Sequence, residues 1–113
     1  MALNLSPLKW DWARIQKGDT FPATNITESL STTNLSRIKI DFYLSGSTTS
    51  ALTLDSNVSG VTINTATSGA WDFTIAAIQT AEMTAGIYSY ELKSTDAGGV
   101  IRTEFIGTWE ITD

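Results

Sequence analysis

Six acidic side chains sit on strand-like stretches and are the residues from which any chemistry would have to be built: Asp41, Asp55, Asp72, Glu91, Glu104 and Glu110. Two carboxylates roughly 5 to 10 Å apart can hydrolyse a glycoside, one as acid and the other as base or nucleophile. Nothing in the spacing brings two of these six together. Most alternate with apolar neighbours and are expected to point to solvent. Histidine and cysteine are both absent. That removes the usual general base, the thiolate nucleophile and the ligands of a structural zinc site. No Gly-x-Ser-x-Gly elbow, phosphate loop or dinucleotide fingerprint occurs, and no Asp/Asn cluster has calcium-loop spacing. No catalytic, metal or cofactor residue is expected, and the chain reads as a non-enzyme.

Aromatic rings offer a second kind of chemistry, the stacking of a sugar. Trp10, Trp12 and Tyr43 are the rings expected nearest the surface, whereas Trp71 and Trp109 fall on inward strand faces. A host-glycan-binding module is the reading these rings would support. The same tryptophans also suit an interface, because Trp is enriched at binding hot spots. Leu5, Leu8, Trp10 and Trp12 are therefore candidate partner-docking residues. A third reading for Trp10 and Trp12 is that they close the bottom of the core.

The elements that would position these residues are strands. Residues 1–13 read as an extended arm, with Pro7 breaking any helix, and residues 14–113 as one domain. Gln16 to Thr20 is a turn, and Phe21 to Glu28 a strand followed by a polar loop to Asn34. Arg37 to Leu44 alternates cleanly, with Ile38, Ile40, Phe42 and Leu44 on one face. Short strands are expected at 51–54 and 61–64, and an inward Trp71, Phe73, Ile75 series follows. Helix formers from Ala76 to Met83 predict one or two helical turns. A strand from Ile87 to Thr95 turns back at Asp96-Ala97-Gly98-Gly99. The last strand, Val100 to Thr112, places Ile101, Thr103, Phe105, Gly107, Trp109 and Ile111 on one face. Gly107 in that series marks a bulge or a close backbone approach.

Gly86 followed by Tyr88 and Tyr90, just after a helical crossover, has the makings of a tyrosine corner. In such a corner the ring packs inward and its hydroxyl bonds to backbone a few residues upstream. With seven or eight strands and regular turns, the pattern predicts an all-β, immunoglobulin-like antiparallel sandwich with one short helical crossover and an N-terminal arm. Without cysteine, packing alone must hold the sheets. The net charge of -5 argues against nucleic acid, which recruits basic surfaces, and against an anionic membrane. The N-terminus lacks the basic start and continuous apolar core of a signal peptide.

The segment Ile15-Gln16-Lys17-Gly18-Asp19-Thr20-Phe21 resembles the (R/K)GDT opening of small immunoglobulin-like domains in tailed-phage structural proteins. The N-terminal domain of phage baseplate upper proteins is the best-known member. The resemblance continues through Leu35 to Leu44, Gly69 to Ile75, Ala85 to Leu92 and Gly107 to Ile111. It implies a non-enzymatic virion protein made in the host cytoplasm and present in many copies. Such a protein would be an adaptor or assembly module of the tail, baseplate or fibre apparatus. Capsid decoration or cementing is the alternative. Its implied partners are other virion proteins or further copies of itself.

Overall fold

The computed structural model describes residues 8–21, 34–65 and 70–113. The fold is all-β with one short helix. Among the described residues the strands are β1 (Leu8–Lys9), β2 (Ile15–Gln16), β3 (Leu35–Leu44), β4 (Leu52–Asp55), β5 (Val61–Thr65), β6 (Ala70–Phe73), β7 (Gly86–Asp96) and β8 (Ile101–Thr112). Helix α1 spans Ala77–Glu82 between β6 and β7, inside the stretch where helix formers predict it. Its first turn is closed by the Gln79 side chain, which accepts the Ala76 N–H at 2.9 Å.

The larger sheet is curled and mixed, in the order β1-β8-β7-β3-β4, with β2 also on β8. Strands β3, β4, β7 and β8 pair antiparallel, whereas β1 and β2 run parallel to β8. Strands β5 and β6 form a separate two-stranded antiparallel sheet. Phe21 bridges to Ile75 just beyond β6. The predicted strand beyond Phe21 and the polar loop before Asn34 fall in residues 22–33, outside the described residues.

The core follows the period-two pattern. Ile38, Ile40 and Phe42 of β3, Tyr88, Tyr90 and Leu92 of β7, and Phe105, Trp109 and Ile111 of β8 are buried. They share one hydrophobic core with Trp71, Phe73 and Ile75. Leu44, the last of the predicted inward series, is only partly buried. The hairpin at 96–100 forms where the Asp-Ala-Gly-Gly run predicts it. There the Asp96 carboxylate accepts the N–H groups of Gly98 and Val100.

Strand β8 departs from expectation at its beginning. The β7–β8 register runs Leu92↔Phe105 and then Lys93↔Thr103, so Glu104 is an extra residue in the ladder. A bulge of this kind reverses which face each preceding residue occupies. Ile101 and Thr103 consequently lie on the opposite face from Phe105, and Ile101 is 66% exposed. Glu104 turns inward instead. The period-two reading of β8 is thus corrected for its first residues, because the bulge breaks the alternation.

Gly107 is not the bulge. It marks a close approach: a Cβ there would fall well inside contact distance of the Trp10 carbonyl and would reach the Tyr90 ring. The notch lets the chain entering the domain lie flat against β8. Gly107→Ala is expected to lower the unfolding free energy by about 1–3 kcal/mol, the usual cost of forcing extra volume into a packed site. The check is a urea midpoint; a value equal to that of the parent protein would mean that the arm gives way at no cost.

Candidate docking site

The candidate docking residues lie on the arm, and the structure sorts them. Leu5 is outside the described residues. Leu8 is on β1, in register with Phe105. Trp10 is partly buried against the core, its ring meeting Phe105 at 5.2 Å and Trp71 at 6.5 Å. Trp12 is core, 7% exposed. Its ring stacks on Tyr90 at 4.1 Å and on Phe73 at 4.9 Å, and its edge meets Trp109 at 6.1 Å. A ring enclosed in this way presents no face to a neighbour or a sugar. Trp12 as a surface docking or sugar-stacking residue is therefore corrected: the aromatic slot formed by Tyr90 and Phe73 takes it first. Burial of so large an apolar ring is worth more than exposing it. The indole N–H groups of Trp12 and Trp109 find no acceptor among the described residues, where ring packing holds them.

Backbone bonds secure the same segment. The Trp10 and Trp12 N–H groups donate to the Ile106 and Thr108 carbonyls at 2.9 and 3.0 Å. Between them Asp11 accepts the Thr108 N–H at 2.9 Å, a bond that holds its carboxyl below the usual carboxylate range. The Tyr90 hydroxyl donates to the Trp10 carbonyl, and burial pushes the Tyr90 phenol above its ordinary range. Residues 8–12 are therefore knitted into the sheet.

The candidate corner has the expected bond. The Tyr88 hydroxyl donates to the Thr84 carbonyl, four residues upstream, at 2.6 Å. Burial raises the Tyr88 phenol, and the Thr84 bond partly opposes the rise. Gly86 has φ +151°, in the region glycine favours, and a Cβ there would press on Leu44 at 3.1 Å. A residue with no local signature in the chain completes this end of the molecule. Thr80 of α1 is fully buried; its hydroxyl accepts the Gly18 N–H at 3.1 Å and donates to the Asp19 carbonyl at 2.7 Å. That hydroxyl clasps the Gly18-Asp19 turn to the crossover helix. Only a three-dimensional proximity of residues about sixty positions apart could have announced it.

Alternation predicts most of the six carboxylates in solvent, yet three are buried: Asp41, Asp55 and Glu104. Each has a polar partner. The Thr53 hydroxyl donates to Asp41 at 2.6 Å, and the Ser94 hydroxyl donates to Glu104 at 2.6 Å. Asp55 accepts two bonds from the Arg37 guanidinium and one from the Asn57 N–H at 2.9 Å. It ties β3 to β4 and to the turn beyond. The Arg37 bonds hold its carboxyl below the usual range, against the opposing effect of burial. The solvent expectation failed because cross-strand partners and a bulge, not alternation, decided burial. Among the described residues no cluster of three His, Cys, Asp or Glu is placed to hold a metal ion. No helix among them is long and apolar enough to cross a membrane.

Comparison of the chain with protein-family models, with curated proteins and with solved structures finds no match.

Two outcomes follow from these bonds. Tyr88→Phe should cost about 1 kcal/mol in a urea titration, the worth of one hydroxyl bond; no change would mean that the Thr84 bond adds nothing. Asp55 has a lowered pKa when folded, so its contribution is complete above the ordinary carboxylate value of about 4 and is lost as pH falls through the folded value. Asp55→Asn should therefore lower stability by ~1 kcal/mol at neutral pH, modest because Arg37 is partly in water. It should also flatten the acid limb of the midpoint-versus-pH curve. Parallel curves for parent and variant would show that another group carries the acid sensitivity.

Proposed function

We propose that this chain is a non-enzymatic structural protein of a tailed-phage virion, an immunoglobulin-like sandwich used in many copies as an adaptor or assembly module of the tail, baseplate or fibre apparatus. The observation that carries the reading is the ordered set Lys17-Gly18-Asp19-Thr20, Ala85 to Leu92 and Gly107 to Ile111, which resembles the phage-domain pattern along most of the chain. Those residues also coincide with joints of the fold. Gly18 and Asp19 are clasped by Thr80, Tyr88 bonds back to Thr84, and Gly107 admits the arm. Motifs that fall on conformational necessities make a coherent domain signature, since each fixes a different turn or junction.

The sandwich assignment draws on two sheets with aromatic rings between them. Trp12 and Trp109 on the side of the larger sheet meet Phe73 and Phe21 on the side of the smaller. The crossover from β6 through α1 to β7, with the Tyr88 bond at its end, is where a tyrosine corner belongs. The non-enzymatic reading draws on the absence of histidine and cysteine and on the structural partners of Asp41, Asp55 and Glu104. A rigid module of this kind would work by docking, through strand edges and loops, to other virion proteins or to further copies.

The test is location. In a lysate of the phage that encodes the chain, its peptides should band with intact particles in a density gradient at a constant multi-copy ratio, and should follow the tails when heads and tails are separated. Segregation with heads would favour capsid decoration. Retention in the soluble fraction, with particles lacking the chain, would end the virion reading.

A further inference from the structure

Residues 8–12 occupy a groove that is specific for an extended strand and is built almost wholly by the rest of the chain. One wall is β8, whose Ile106 and Thr108 carbonyls accept from the incoming N–H groups. Its floor is notched at Gly107, where a side chain would collide with the Trp10 backbone. The Tyr90 hydroxyl reaches the Trp10 carbonyl. Beyond the notch, Tyr90 and Phe73 leave a slot that the Trp12 ring fills. Main-chain pairing gives such a groove affinity, and the alternate side-chain pocket gives it selectivity for a Trp at the right spacing.

The segment joins the domain through a weak point. Leu8 and Lys9 pair with Phe105 and Ile106, but Ile15 and Gln16 pair with Ile111 and Thr112. Six residues along the arm thus advance against five along β8, and the parallel ladder is broken between them. Ala13 and Arg14, at that break, are both exposed. They connect a deeply held Trp12 to a separately held β2, as a hinge would.

We propose that this groove is a strand-acceptor site whose partner is the same segment, residues 8–12, of a second copy of the chain, exchanged about the Ala13–Arg14 joint. Every contact made within one chain is remade between two, so exchange is favoured by protein concentration and opposed mainly by the joint. The buried Trp12 then links copies without needing an exposed face. The inference goes beyond the virion reading and does not depend on it, since it concerns the isolated protein.

The lack of cysteine makes a clean test possible. Lys9 and Ile106 are register partners on the accessible face of the β1–β8 pair, at a strand spacing that a disulfide can bridge. Lys9→Cys and Ile106→Cys are made in separate chains, refolded together at high concentration and oxidised. An arm held within its own chain places Cys at position 9 beside a residue without a thiol. An exchanged arm places it beside the thiol of the second chain. The matched pair should give several-fold more covalent heterodimer than the off-register pair of Lys9→Cys with Thr62→Cys, the latter on the exposed part of β5. The double variant Lys9→Cys/Ile106→Cys, oxidised when dilute, should lock its own arm, run as a monomer and refuse exchange. Equal yields from the matched and off-register pairs would overturn the proposal and leave the arm as an internal strand. Absence of the chain from particles, with exchange intact, would sink only the virion reading.

Discussion

The stack of Trp12 on Tyr90 and Phe73 is the contact on which the rest of the structure turns. With no cysteine in the chain, cohesion rests on packing, and the Trp12 ring in the core comes from the entering strand. Its position requires the Trp10–Trp12 backbone to lie hard against β8. That in turn requires Gly107, because any side chain there would occupy the path of the Trp10 carbonyl. The Tyr90 hydroxyl, which would otherwise be buried without an acceptor, closes on the same carbonyl. Unsatisfied, it would cost on the order of 1–3 kcal/mol. Strand, notch, ring and hydroxyl thus form one mutually dependent set.

A second set holds the ends of the strands. Thr80 clasps the Gly18-Asp19 turn to α1, and Tyr88 ties the start of β7 to Thr84. On the other side Arg37 and Asp55 lock β3 to β4 and organise the turn that leads into β5. These are polar contacts at junctions, where the backbone leaves regular pairing and its groups need partners. The aromatic centre supplies cohesion; the polar junctions fix the path of the chain around it.

Much of this was legible in the residues. The β3 alternation, the helical crossover, the hairpin at Asp96–Gly99 and the inward Trp71, Phe73 and Trp109 follow from period and turn chemistry. Burial on one face of a strand and glycine in a turn are local consequences of side-chain type. What failed did so for non-local reasons. Alternation alone predicts Ile101 inward, because an inserted residue at Glu104 leaves no mark in the hydrophobic pattern. Alternation alone predicts Asp41 and Asp55 in solvent, because their partners, Thr53 and Arg37, are cross-strand neighbours that only the strand register brings near.

The arm shows the division most clearly. Composition and spacing alone determined that residues 8–12 carry two tryptophans on an extended segment, and that a chain without cysteine or histidine must rely on packing. Whether those rings face a partner or the core was a question of where the segment pairs. A parallel pairing to β8, close to a hundred residues away in sequence, decided it, since only that register brings Trp12 over Tyr90 and the Trp10 backbone over Gly107. Side-chain type fixes what a residue gains by burial; tertiary pairing fixes whether a slot of the right shape is within reach.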